Sequence, residues 1–138
     1  MTRSISEEGK RILEEIKRLQ KMRELDMEKI CVPGGYADKL AKEFKNLKPT
    51  QLRKFFQEIK TIERNIRRKE QRFNYANVVK IFPLLAYAKG RNLIPDEFYR
   101  LLKSCLSKEK LETNEDFLKV AKFMTAILAY HKLYYKSL

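Results

Sequence analysis

Apolar residues return every three or four positions along almost the whole chain, and that spacing argues against a sheet. Residues 50–72, TQLRKFFQEIKTIERNIRRKEQR, show it best. Leu52, Phe55, Phe56, Ile59, Ile62 and Ile66 fall in one stripe about 120° wide when each residue advances about 100°. A half-buried strand would alternate with period two, and no segment does so convincingly. Breakers are few, with four glycines and four prolines in 138 residues. Leu, Lys, Glu, Ile and Ala dominate and favour helix. The expected fold is all-α, a compact bundle of about six helices forming a single domain over residues 1–138.

The few breaks set the elements. Ser4 with Glu7 reads as a capping box opening a charged N-terminal helix over roughly residues 5–30, within a segment ending near 32. Its apolar stripe is narrow (Ile12, Ile16, Leu19, then less regularly Met22 and Met27), and eight basic and seven acidic side chains nearly cancel over residues 1–30. CVPGG at 31–35 stops any helix. Tyr36, Ala37, Leu40, Ala41 and Phe44 carry the second helix, and Pro49 suits the first turn of the third. FNYAN at 73–77 interrupts weakly. VVKIFPLLAYAKG, 78–90, is almost entirely apolar and is expected to be central. Pro83 should kink or break it, and Gly90 should stop it. Phe98, Leu101, Leu102, Cys105 and Leu106 define a fifth helix. Thr113 and Asp116 open a sixth, with Phe117, Val120, Ala121, Met124, Ile127, Leu128, His131 and Tyr135 on its face.

Charge narrows the function. The formal net charge is +13, and a polyanionic partner would relieve the self-repulsion of such an excess. Residues 50–72 carry eight basic side chains against three acidic ones. Arg53, Lys60, Arg64 and Arg67 lie about 60° to 120° round from Leu52, beside the apolar stripe. Gln57 and Gln71 lie beside them. On this reading Glu58 is on the far side, and Glu63 and Glu70 flank the stripe, leaving the row without interleaved acids. Arg53 to Arg67 covers about 21 Å of helix, room for about three or four phosphates of an extended strand. Arginine suits phosphate because its planar fork makes two parallel hydrogen bonds. The same row also reads as a solvated helix face whose Arg stems pack over apolar neighbours. The net charge of the whole chain weighs toward polyanion binding. Phe55, Phe56, Phe73 and Tyr75 near the row, and Tyr130, Tyr134 and Tyr135 near Lys132 and Lys136, are candidate base-stacking platforms or, equally, core and helix-end aromatics.

Nothing in the sequence supports catalysis. His131 is the single histidine, placed on an apolar helix face as a hydrogen-bonded core or boundary residue. Cys31 and Cys105 stand apart without CxxC spacing and read as two buried free thiols of a reducing cytosol. No metal or cofactor is expected. VPGGY lacks the lysine and following hydroxyl of a phosphate-cradling loop. No signal peptide is visible behind MTRSISEEGK, and IFPLLAYA is too short to span a bilayer. The expected location is cytoplasmic. Attachment to an anionic membrane ranks last, since no helix joins a bulky apolar face to a freely exposed basic one.

At TQLRKFFQEIKTIE the chain resembles the small helical subunit of type III-A CRISPR effector complexes, the Csm family. Thr50 to Phe55 are its most recognisable part, with YADKLAKEF before and FPLLAYAKGR after in that family's order, over roughly residues 36–135. The resemblance implies a non-catalytic subunit in antiviral defence whose copies stack along guide and target RNA, while other subunits cut. It carries over only Gln51, Arg53 and Lys54. Lys60, Arg64, Arg67 and Arg68 are added from helix geometry and charge. Guide pairing reads the sequence in such complexes, so a stacking subunit needs backbone affinity only. The partners so implied are guide RNA, target RNA, other effector subunits and further copies of the chain. The alternative is a helical scaffold whose basic face meets an acidic protein. Two topologies stay open at FNYAN: one continuous helix over 50–82, giving a helix-swapped dimer, or a turn that closes the chain on itself.

Overall fold

The computed structural model describes residues 5–69 and 73–135, and every regular element among them is helical. In order they are α1 (Glu7–Arg18), a 3₁₀ turn (Met22–Glu24), α2 (Met27–Cys31), α3 (Tyr36–Glu43), α4 (Pro49–Lys69), α5 (Ala76–Val79), α6 (Ile81–Gly90), α7 (Asp96–Cys105) and α8 (Asn114–Tyr134). Six of these helices are eight residues or longer; α2 and α5 are short.

The central element is α8. Its Phe117, Val120, Ala121, Phe123, Met124 and Ile127 are buried, a stripe wide enough to meet α3 and α4 together with the 3₁₀ turn and α2. Thr113 caps it as expected: its hydroxyl accepts from the Asp116 N–H, and Asp116 closes the box by accepting from the Thr113 N–H at 2.9 Å. Phe98 joins the layers, its ring 5.4 Å from Phe44 and 5.8 Å from Phe55. α1 packs on α3 and α7.

The expected first helix over 5–30 is not continuous. Ser6 is the N-cap, its hydroxyl accepting from the Gly9 N–H at 3.1 Å; Ser4 lies outside the described residues. α1 ends at Arg18 because Leu19 turns extended (φ −60°, ψ 139°). The following residues find partners a straight helix could not reach. The Lys21 ammonium donates to the Glu109 carbonyl (2.7 Å) and the Met22 N–H to the Lys110 carbonyl (3.1 Å). The Arg23 N–H donates to the Asp116 carboxylate at 2.8 Å. Lys119 donates back to the Leu25 carbonyl, and Tyr130 to that of Cys31. Residues 21–31 thus form a strap hydrogen-bonded to α8 and the turn before it.

The break at CVPGG is real. Gly34 has φ +80°, and a Cβ on Gly35 would meet the Lys29 carbonyl oxygen at 2.5 Å, so neither position suits a side chain. FNYAN also breaks the path. Phe73 and Asn74 are non-helical and Tyr75 is in a turn. Phe73 stacks on Phe117 at 5.5 Å, and the Tyr75 hydroxyl donates to the Leu106 carbonyl at 2.7 Å. The chain therefore folds back onto its own α8 instead of running as one helix over 50–82.

The apolar segment 78–90 is not central. Ile81, Leu85 and Ala88 of α6 are buried toward α7, while Val79 and Tyr87 are exposed. Its break falls before Pro83, at Lys80. Proline brings no N–H to the carbonyl four residues back, so it sits in the first turn of α6 and ends the preceding turn. α6 stops at Gly90, but the left-handed residue is Asn92 (φ 60°). The Asp96 carboxylate ties α6 to α7, 2.9 Å from the Lys89 ammonium and 2.8 Å from the Arg100 guanidinium.

Candidate nucleic-acid interface

α4 carries the predicted row, and its inner face behaves as its spacing dictates. Leu52, Phe55 and Ile59 are fully buried, Ile62 and Ile66 nearly so. This fixes the helix's rotation against α8 and sends its basic side chains outward. Arg53, Lys54, Arg64, Arg67 and Arg68 are exposed, and Lys60 is half-exposed. Arg53, Lys60, Arg64, Arg67 and Arg68 share one band about 60° to 160° round from Leu52. Lys54 lies on the outward back of the helix, about 100° from Arg53. Gln51 stands on the opposite edge of the apolar stripe, half-buried, its side-chain oxygen buried without a hydrogen-bond partner among the described residues. The structure therefore groups five of the seven candidate residues and separates Gln51 and Lys54 from them.

The row does contain an acid, contrary to the sequence reading. Glu63 is buried, 7% exposed. Its carboxylate accepts from the Lys60 ammonium at 2.9 Å and lies 3.5 Å from the Arg67 guanidinium. Spacings of three and four residues put these side chains on neighbouring turns, where such pairs meet. Lys60 also lies over the Phe56 ring, 5.6 Å from its centroid. Two cations of the row are thus held from beneath by one carboxylate. Arg53, Lys54, Arg64 and Arg68 make no ion pair with any described residue. The side chain of Lys69 and residues Glu70, Gln71 and Arg72 lie outside what the structure describes.

The aromatic platforms are mostly occupied. Phe55 is core, Phe73 stacks on Phe117, and Tyr75 is tied to Leu106. Tyr130 and Tyr134 donate to the Cys31 carbonyl and the Asp38 carboxylate, and Tyr135 stacks on His131 at 5.5 Å. Lys136 is outside the described residues. Phe56, like Phe73 and Tyr75, is half-buried against the core, and Lys60 lies over its ring. These rings bind the chain to itself, so the surface of α4 offers charge far more than stacking.

The other candidate chemistry is structural. His131 is buried and its Nε2 stands 3.1 Å from the Phe44 carbonyl; burial holds its pKa below the ordinary value. Cys105 is buried, which pushes its thiol up to about 12. Cys31, expected buried, is exposed because the short α2 turns its last residue outward after burying Ile30. Among the described residues no group of three His, Cys, Asp or Glu could hold a metal, and no helix is long and apolar enough to cross a membrane.

Residues 24–137 match the family model described as Csm2 Type III-A. The match takes in α2, which the resemblance over 36–135 leaves out, and excludes α1. No curated protein and no solved structure matches the chain.

Proposed function

The chain belongs to the Csm2 Type III-A family, subunits of a CRISPR effector complex that associate with the other Csm subunits, and we propose that it serves there as a non-catalytic RNA-binding subunit. It lies along the guide and target RNA in the cytoplasm and holds their backbone without reading bases. The observation that carries this reading is the outer edge of α4. There Arg53, Arg64 and Arg68 reach solvent without an ion pair to any described residue, on a helix whose rotation the core fixes. A line of guanidinium groups binds phosphates and positions a strand, while offering no means of telling bases apart.

The test is titration of single-stranded RNA with the isolated protein at several salt concentrations, comparing the natural chain with the triple variant Arg53→Ala, Arg64→Ala, Arg67→Ala. All three side chains are exposed, and Lys60 still holds the Glu63 carboxylate at 2.9 Å when the longer 3.5 Å contact from Arg67 is lost, so the melting curve should shift little. At low salt the variant should bind at least about tenfold more weakly. Its plot of log affinity against log salt should be shallower by about two, from three lost phosphate contacts at roughly 0.7 counterion each. Equal affinity and equal slope would remove α4 as the RNA-binding edge.

A further inference from the structure

Residues 73–95 contain no Asp or Glu, and their only charged side chains are Lys80, Lys89 and Arg91. Within them α5 and α6 follow one another with Lys80 alone between, and Lys80 keeps right-handed helical angles (φ −62°, ψ −21°). Val79, Pro83, Ala86, Tyr87 and Gly90 recur at i, i+4, i+7, i+8 and i+11 and so share one side. All five are exposed, Val79 to 49% and Tyr87 to 53%. Phe82 and Leu84 lie half-buried beside them. The opposite side carries Ile81, Leu85 and Ala88 into the core. The Arg91 guanidinium lies 5.7 Å from the Tyr87 ring centroid and donates to the Tyr87 hydroxyl at 2.9 Å. Tyr87 is thus a braced aromatic plate, which has little freedom left to lose on docking.

The charges around this face identify what covers it. Lys80 stands near one end and Arg91 near the other, about 16 Å apart along the helical path, with no acid between them. A second copy pairing the same face would bring two like-charged rims together, on chains of net charge +13 each. RNA would meet Lys80 and Arg91 but would leave Val79, Pro83 and Ala86 against a polar backbone. A protein surface with an apolar centre and a rim of Asp and Glu satisfies both the apolar strip and its cations. We propose that the α5–α6 face docks such an acid-rimmed apolar surface on a neighbouring effector subunit, with Tyr87 as the anchor. The two edges then divide the work, α4 for RNA and α5–α6 for protein. The docking assignment stands on the family and on this face, independently of the RNA reading.

The experiment co-expresses the full chain with the cognate subunits of its effector complex and measures how much of it enters the purified assembly. One variant, Val79→Ser with Tyr87→Ser, removes the apolar anchor without changing charge; a second, Lys80→Glu with Arg91→Glu, reverses the rim. Both should keep the natural chain's circular dichroism and elution as isolated proteins, and both should lower incorporation at least tenfold. The serine variant should keep its affinity for single-stranded RNA. Normal incorporation of the serine variant would overturn the assignment, and normal incorporation of the charge-reversed one would overturn the acidic partner. Loss of RNA affinity in the serine variant would give the face to RNA. Sedimentation showing a self-associated natural chain that the serine variant breaks apart would give it to a second copy. The α4 triple variant tests RNA binding separately, so failure of either assignment leaves the other readable.

Discussion

α4 and α8 are the same length, twenty-one residues, and each buries one carboxylate. Their donors differ in kind. Asp116, at the start of α8, accepts from the backbone N–H groups of Arg23, Glu112 and Thr113 and from the Arg23 guanidinium, at 2.8 to 2.9 Å. Glu63, in the middle of α4, is held by Lys60 and Arg67, two side chains that reach solvent. A buried acid surrounded by backbone donors fixes the path of the chain. A buried acid whose donors are surface cations fixes where those cations stand. The first is an element of the fold, the second of a binding edge.

Removing the two acids should separate these roles most sharply. Asp116→Ala leaves three backbone N–H groups and a guanidinium without their acceptor, and should lower stability by about 3 kcal/mol in a denaturant titration. Glu63→Gln keeps the shape and a carbonyl acceptor and should change stability by less than about 1 kcal/mol. Equal losses would erase the distinction.

Acid should act on the α8 side first. His131 is kept neutral by burial, so its folded pKa lies below its unfolded value of about 6.5. Above that value both states are neutral and the group adds no dependence. As pH falls below about 6.5 the unfolded chain gains a proton that the native chain refuses, and stability declines until the folded pKa is passed. Asp116 acts lower. Burial alone would raise its carboxyl, but hydrogen bonds from Thr113, Arg23 and Glu112 and the Arg23 charge outweigh it and hold the group below the usual range. Its contribution is complete above the unfolded value of about 3.9 and is lost as pH drops through the folded one. Denaturant midpoints measured against pH should show both declines, and His131→Gln should abolish the upper one alone.

The smallest expected effect is on the α4 side. Glu63→Gln frees Lys60 and Arg67 from a competing carboxylate, and affinity for single-stranded RNA at low salt should rise about threefold, the worth of a modest surface ion pair. A fall instead would mean that Glu63 holds the two cations in the orientation RNA needs.

Much of the fold can be read from spacing alone. The α4 stripe, the Thr113–Asp116 cap, the break at CVPGG and the boundaries of α3 and α7 follow from local rules that the tertiary structure leaves intact. What spacing could not supply depends on distant partners. No Gly or Pro marks the end of α1, and its extended residues are stabilised by groups some ninety positions away. The faltering of the apolar pattern after Leu19, and Asp26 standing as a cap before Met27, were the available signals. The apolar content of 78–90 told how much α6 could bury but not whether this chain supplies a surface on every side. Glu63 was legible: it lies about 20° from Leu52 on the helical wheel, inside the stripe, and three and four residues from its cations. Judging the row by a window of angles hid a contact that the spacing rule contains.

The strap at residues 21–31 has a consequence for synthesis. Its acceptors and donors on Glu109, Lys110, Asp116, Lys119 and Tyr130 leave the ribosome roughly ninety residues after it does. Met22, Leu25 and Ile30, all buried in the folded molecule, must wait for their cover until α8 has been made, so this long-range docking comes late among the contacts of residues 21–31.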